Sequence, residues 1–66
     1  MKWAIERNSK LMYLDFETTD LLEARPIIKA YMRNNLDYYV RKTCLGIYEI
    51  YCEKKLFNPV GYADDG

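Results

Sequence analysis

The strongest constraint on this chain is a two-residue turn signal, Asn8-Ser9, set between stretches whose apolar residues alternate. Two-residue hairpin loops need left-handed backbone, which Asn tolerates. A loop of that length permits one register. Arg7 faces Lys10, Ile5 faces Met12 and Trp3 faces Leu14, while Glu6 faces Leu11, Ala4 faces Tyr13 and Lys2 faces Asp15. Trp3, Ile5, Met12 and Leu14 then share one side, with Phe16 next in line. A slip of one residue would scramble that side. The spacing therefore predicts a β-hairpin over 2–16 with Trp3, Ile5, Met12, Leu14 and Phe16 on its core face.

A helix start follows. Thr19 or Asp20 can cap, and Asp20 with Glu23 has capping-box spacing. Leu21, Ala24, Ile28 and Tyr31 recur at helical intervals, flanked by Leu22 and Met32, and Asn34-Asn35 supplies a left-handed stop. Pro26 lacks a backbone donor and disfavours helical geometry at Arg25. The prediction is one helical region over 19–34, disturbed near 25.

The next stretch reads as a second hairpin. Residues 36–43 and 47–53 are rich in Tyr, Val and Ile, which suit strands. Gly46 fits the left-handed position of a three-residue loop, Cys44-Leu45-Gly46. That register pairs Val40 with Ile50, Tyr38 with Cys52 and Lys42 with Tyr48 on one face. On the other it pairs Arg41 with Glu49, Tyr39 with Tyr51 and Thr43 with Ile47. The expected fold is α+β, a ββαββ domain over 1–56 whose two antiparallel hairpins form one sheet under a single helix, followed by an irregular tail over 57–66. Pattern alone leaves the strand order open.

Size makes such a domain marginal. Surface burial for 66 residues contributes on the order of 105 kcal/mol, and ordering the chain costs about 100 kcal/mol. A partner or a second copy would add burial. Charge appears within the first seven residues and no apolar run reaches membrane-spanning length. The expected location is the cytoplasm, with no membrane partner.

No catalytic set is visible. The chain has no His, a single Ser and no phosphate-binding glycine loop. Cys44 and Cys52 have neither disulfide nor zinc spacing, so neither a metal nor another cofactor is expected. The acids Asp15, Glu17, Asp20 and Glu23 cluster in sequence, but acid–base chemistry needs a pocket that separates their pKa values. Placement near a helix N-terminus accounts for them more simply. The chain is expected not to be an enzyme.

Two features point to binding instead. Zero net charge conceals a segment, 15–23, of net −4 and another, 25–42, of net +4. Arg25, Lys29 and Arg33 fall at i, i+4 and i+8, a basic ridge along one helix face, where like charges repel by a few tenths of a kcal/mol per pair. The plain account is a solvated face whose cations complement the helix dipole. The second feature is tyrosine. The two registers turn Tyr13, Tyr39 and Tyr51 away from the predicted helix-covered face, with Arg41 among them. Tyr and Arg are enriched at protein interfaces. The plain account here is strand propensity, with residues 56–62 folding back over that face.

The resulting expectation is a small protein-binding module, a regulator or inhibitor that occupies the surface of a larger enzyme or complex. Its anchors would be Tyr13, Tyr39, Tyr51 and Arg41, and its steering element Arg25, Lys29 and Arg33. Size and composition fit the broad category of phage or mobile-element proteins that inhibit host enzymes. One alternative is nucleic-acid binding by the ridge and stacking tyrosines. Another is a homodimer joined through sheet faces or edge strands.

Overall fold

A computed structural model describes residues 4–57. The order of elements is β1 (Ala4–Arg7), β2 (Lys10–Thr18), α1 (Leu21–Arg33), β3 (Tyr38–Lys42) and β4 (Tyr48–Cys52), the expected ββαββ. The expected pairs of Trp3 and Lys2, and the tail beyond Phe57, lie outside the described residues.

Local chemistry sets both hairpins. Asn8 and Ser9 both take positive φ, 52° and 63°, as the two-residue loop requires. The described pairs of the first hairpin match the register read from sequence. In the second, Gly46 sits at φ 84°. The Thr43 hydroxyl accepts the Leu45 and Ile47 N–H groups, and the Thr43 carbonyl accepts the Gly46 N–H. All five pairs between β3 and β4 fall where the loop length puts them.

The helix is continuous through Pro26. The bond that Pro26 cannot donate belongs to the Leu22 carbonyl, in an exposed first turn that water can reach. Asp20 caps by accepting the Leu22 N–H at 2.9 Å. The reciprocal half of the capping box does not form. Glu23 instead accepts the Thr18 hydroxyl at 2.6 Å, and that hydroxyl oxygen accepts the Asp20 N–H. The buried stripe is Ala24, Ile27 and Tyr31, rotated from the expected one, so Leu21 is exposed and Ile28 half-buried.

The sheet order is β1-β2-β4-β3, antiparallel throughout. Between β2 and β4 the register shifts: Leu14 faces Tyr51 and Phe16 faces Ile50, leaving Asp15 as the extra residue of a β-bulge. The bulge overturns one expectation. Phe16 joins the helix side with Ile50, Cys52, Tyr38 and Val40, whereas Met12, Leu14 and Ile5 fall on the helix-free side with Tyr39 and Tyr51. The five-residue core face read from strict alternation is thus divided between two clusters.

The helix-free side is the inside of a curl. In a flat sheet the edge strands β1 and β3 would stand about 14 Å apart, at roughly 4.8 Å per strand. Yet the Arg7 guanidinium on β1 lies 3.9 Å from the centre of the Tyr39 ring on β3. Lys10 likewise reaches across to Asp37 and Glu53. The curl encloses Met12, Leu14 and Tyr51 without help from the helix.

Candidate interaction surfaces

The outer face of α1 carries the basic ridge as the spacing predicts. Arg25, Lys29 and Arg33 are exposed and form no ion pair among the described residues. The same face holds side chains that the ridge argument did not use. Leu21, Leu22 and Met32 are 51%, 69% and 59% exposed. At about 100° per residue, Leu22 in the first turn points in the same direction as Lys29 and Arg33, while Leu21 and Met32, at opposite ends of the helix, point to the Arg25 side of the ridge. In the sequence, Leu22 and Met32 flank the expected apolar stripe and Leu21 belongs to it. Rotation of the stripe toward Ile27 then turns them outward.

The tyrosines do not form one open face. Tyr13 pairs with Cys52, two residues before the bulged Asp15 and on the side opposite Tyr39 and Tyr51. Lys55 Nζ lies 5.6 Å from the centre of its ring. Tyr51 is fully buried (0% exposed) inside the curl. Its neighbour Tyr39, at a ring separation of 6.3 Å, is half-buried under Arg7. The expectation of an uncovered tyrosine surface is therefore corrected: the bulge separates Tyr13 from the others, and the curl covers them.

Arg41 belongs to a network on that inner side. Its Nε donates to Glu49 Oε1 at 3.0 Å, its Nη2 lies 2.7 Å from the same oxygen in an ion pair, and the Tyr51 hydroxyl donates to that oxygen at 3.0 Å. Glu49 is buried and stands directly across from Glu17 on β2. Opposed carboxylates destabilise a sheet, so the guanidinium offsets that repulsion. Burial, reinforced by the hydrogen bond to Glu49, pushes the Tyr51 phenol up to about 12, and the bond to Glu49 raises Arg41 further. With two of its nitrogens held at Glu49, Arg41 acts first as an internal brace.

The remaining acids are likewise engaged. Asp20 and Glu23 serve the helix start. Asp15 is fully buried at the bulge. It accepts the Tyr31 hydroxyl at 2.6 Å and the Phe57 N–H at 3.0 Å. Phe57 packs its ring against Phe16 and Tyr31 at 6.3 and 6.0 Å. Phe57, the first residue of the predicted tail, is therefore anchored to the sheet. At the open end of the curl, Arg7, Asn8, Lys10, Met12, Asp37 and Tyr38 line a depression of about 450 Å³. The Asp37 N–H and then Lys10 hold the Glu53 carboxyl there below its ordinary value, and the two acids raise Lys10. The charges of Lys10, Asp37 and Glu53 there satisfy one another.

Among the described residues no group of acids and thiols could hold a metal ion, and no helix is long and apolar enough to cross a membrane. Comparison with protein-family models, curated proteins and solved structures returns no match for this chain.

Proposed function

We propose that the chain is a non-enzymatic protein-binding module, a small regulator or inhibitor that works by occupying the surface of a partner protein, and that it presents the outer face of α1. The observation that carries this reading is the placement of Leu21, Leu22 and Met32 in solvent among three unpaired cations. Large apolar side chains exposed together mark contact surfaces. Cations among them steer an acidic partner and add selectivity. The fitting partner surface is an apolar groove with an acidic rim. The buried Tyr51 and the braced Arg41 support the fold in this reading, and Arg25, Lys29 and Arg33 remain the steering element.

The test uses the immobilised chain beside a Leu22→Glu/Lys29→Glu variant, both checked for folding by circular dichroism. Each is exposed to lysate of the native host and the retained proteins are identified. The reading expects a protein held by the natural chain and weakened at least tenfold by the variant, since anchor residues contribute about 2 kcal/mol or more. Equal capture by both chains refutes the helix face. Retention of nucleic acid, lost steeply with added salt, would transfer the ridge to phosphate binding.

A further inference from the structure

The strand order leaves β3 at an edge of the sheet, and the ladder decides what that edge offers. Ile47 accepts the Thr43 N–H and Asp37 accepts the Glu53 N–H. Hydrogen-bonded pairs alternate along an antiparallel ladder. Tyr39 and Arg41 therefore exchange bonds with β4, and Tyr38, Val40 and Lys42 turn their N–H and C=O groups outward. No strand among the described residues pairs with that side. Two of the devices that usually guard an edge are missing from it: the strand has no proline, and its pairing with β4 runs without a bulge. Its two cations sit together at one end.

We propose that β3 recognises β3 of a second copy. The two strands run antiparallel about a two-fold axis at Val40, and the two sheets become one. The order Tyr38-Tyr39-Val40-Arg41-Lys42 is complementary to itself when reversed. Tyr38 then stands opposite Lys42 of the second copy, and Tyr39 opposite its Arg41. Directly opposed residues share a sheet face with β-carbons roughly 4.5–5.5 Å apart, so each cation stands opposite a tyrosine and no two residues of like charge are directly opposed within the strand pair. Contacts of that kind already exist on this sheet. Lys42 Nζ lies 5.5 Å from the Tyr48 ring centre, and Arg7 covers Tyr39. Val40 meets its own copy, and the outward groups of Tyr38, Val40 and Lys42 form roughly six backbone hydrogen bonds across the axis. Moving the axis to Arg41 would oppose two guanidiniums. Moving it to Tyr39 would carry Arg41 and Lys42 past the end of the partner strand. The axis at Val40 uses all five residues. This inference is independent of the helix-face reading, because α1 takes no part in it.

Sedimentation of the full chain from low micromolar to millimolar concentration, together with residue-resolved amide exchange on the same samples, tests the proposal. The expected result is a mass rising from one copy to two. The N–H groups of Tyr38, Val40 and Lys42 gain protection with concentration, while those of Tyr39 and Arg41 stay protected throughout. Lys42→Pro deletes an outward donor and leaves the bonds to β4 in place, as proline on an edge strand allows. It should weaken association at least tenfold. A single-copy mass at millimolar concentration overturns the proposal, as does a dimer lacking the alternating protection. Should Lys42→Pro fail to fold, the exchange pattern of the natural chain decides alone.

Discussion

Replacing Asp15 tests the bulge most directly. Its buried carboxylate receives the Tyr31 hydroxyl from the helix and the Phe57 N–H from the segment after β4, so one side chain ties three parts of the chain together. Hydrogen bonds to a charged acceptor contribute about 1.5–3 kcal/mol each. Asp15→Ala removes both and leaves the Tyr31 hydroxyl buried without this acceptor, for a predicted loss of about 3–5 kcal/mol. At roughly 0.05–0.15 kcal/mol per residue, a domain this size has about 3–10 kcal/mol in all. Asp15→Asn keeps the shape but offers one neutral acceptor and a competing donor, and should lose about 2 kcal/mol. Tyr31→Phe keeps the ring contacts with Tyr38 and Phe57 at 5.9 and 6.0 Å and should lose about 1.5–3 kcal/mol. Urea unfolding followed by far-ultraviolet circular dichroism measures each loss. Asp15→Asn and Tyr31→Phe should combine less than additively, with a coupling of about 1 kcal/mol or more. A loss below about 1 kcal/mol for Asp15→Ala, or strict additivity of the pair, would refute the assigned role.

Three further outcomes follow from the same geometry. Tyr51 is neutral in the fold up to about pH 12, whereas an unfolded tyrosine ionises near 10. Stability from this group is complete below pH 10 and is lost as pH rises from there toward 12. Absorbance titration of tyrosinate should show a late step that shrinks in Tyr51→Phe, and an unchanged titration would refute the assignment. Cys44 is exposed while Cys52 is buried with its thiol pushed up by burial, so a thiol reagent should modify Cys44 promptly and Cys52 only on unfolding; equal rates would contradict that placement. Finally, Gly46→Ala meets no atom within 4 Å, so its cost is backbone strain alone. Chemical denaturation should find a loss of about 1 kcal/mol, and no loss would mean that the loop adopts another conformation.

Both hairpin registers were determined by the sequence alone, because each rests on a turn whose backbone demand is local. Asn8-Ser9 and Gly46 must take positive φ, and loop length then sets every pair that follows. The helix was legible for the same reason: Asp20 and the Asn34-Asn35 stop act within one turn of its ends. Even so, Glu23 bonded to Thr18 rather than back to Asp20, since Thr18 arrives from β2 and competes for it.

Which face each residue serves was decided only in three dimensions. Alternation along β2 predicts that Leu14 and Phe16 point the same way, yet Asp15 is drawn into a bulge where Tyr31 and the Phe57 N–H converge on its carboxylate. Those partners are 16 and 42 residues away, and no local window contains them. The bulge divides the apolar residues of the first hairpin between two clusters. The curl then buries Tyr51 and shields Tyr39, converting an expected binding face into interior. Among the described residues the outer face of α1 and the unpaired edge of β3 are left for contact, because one helix and a curled four-stranded sheet can bury only the surfaces that face inward.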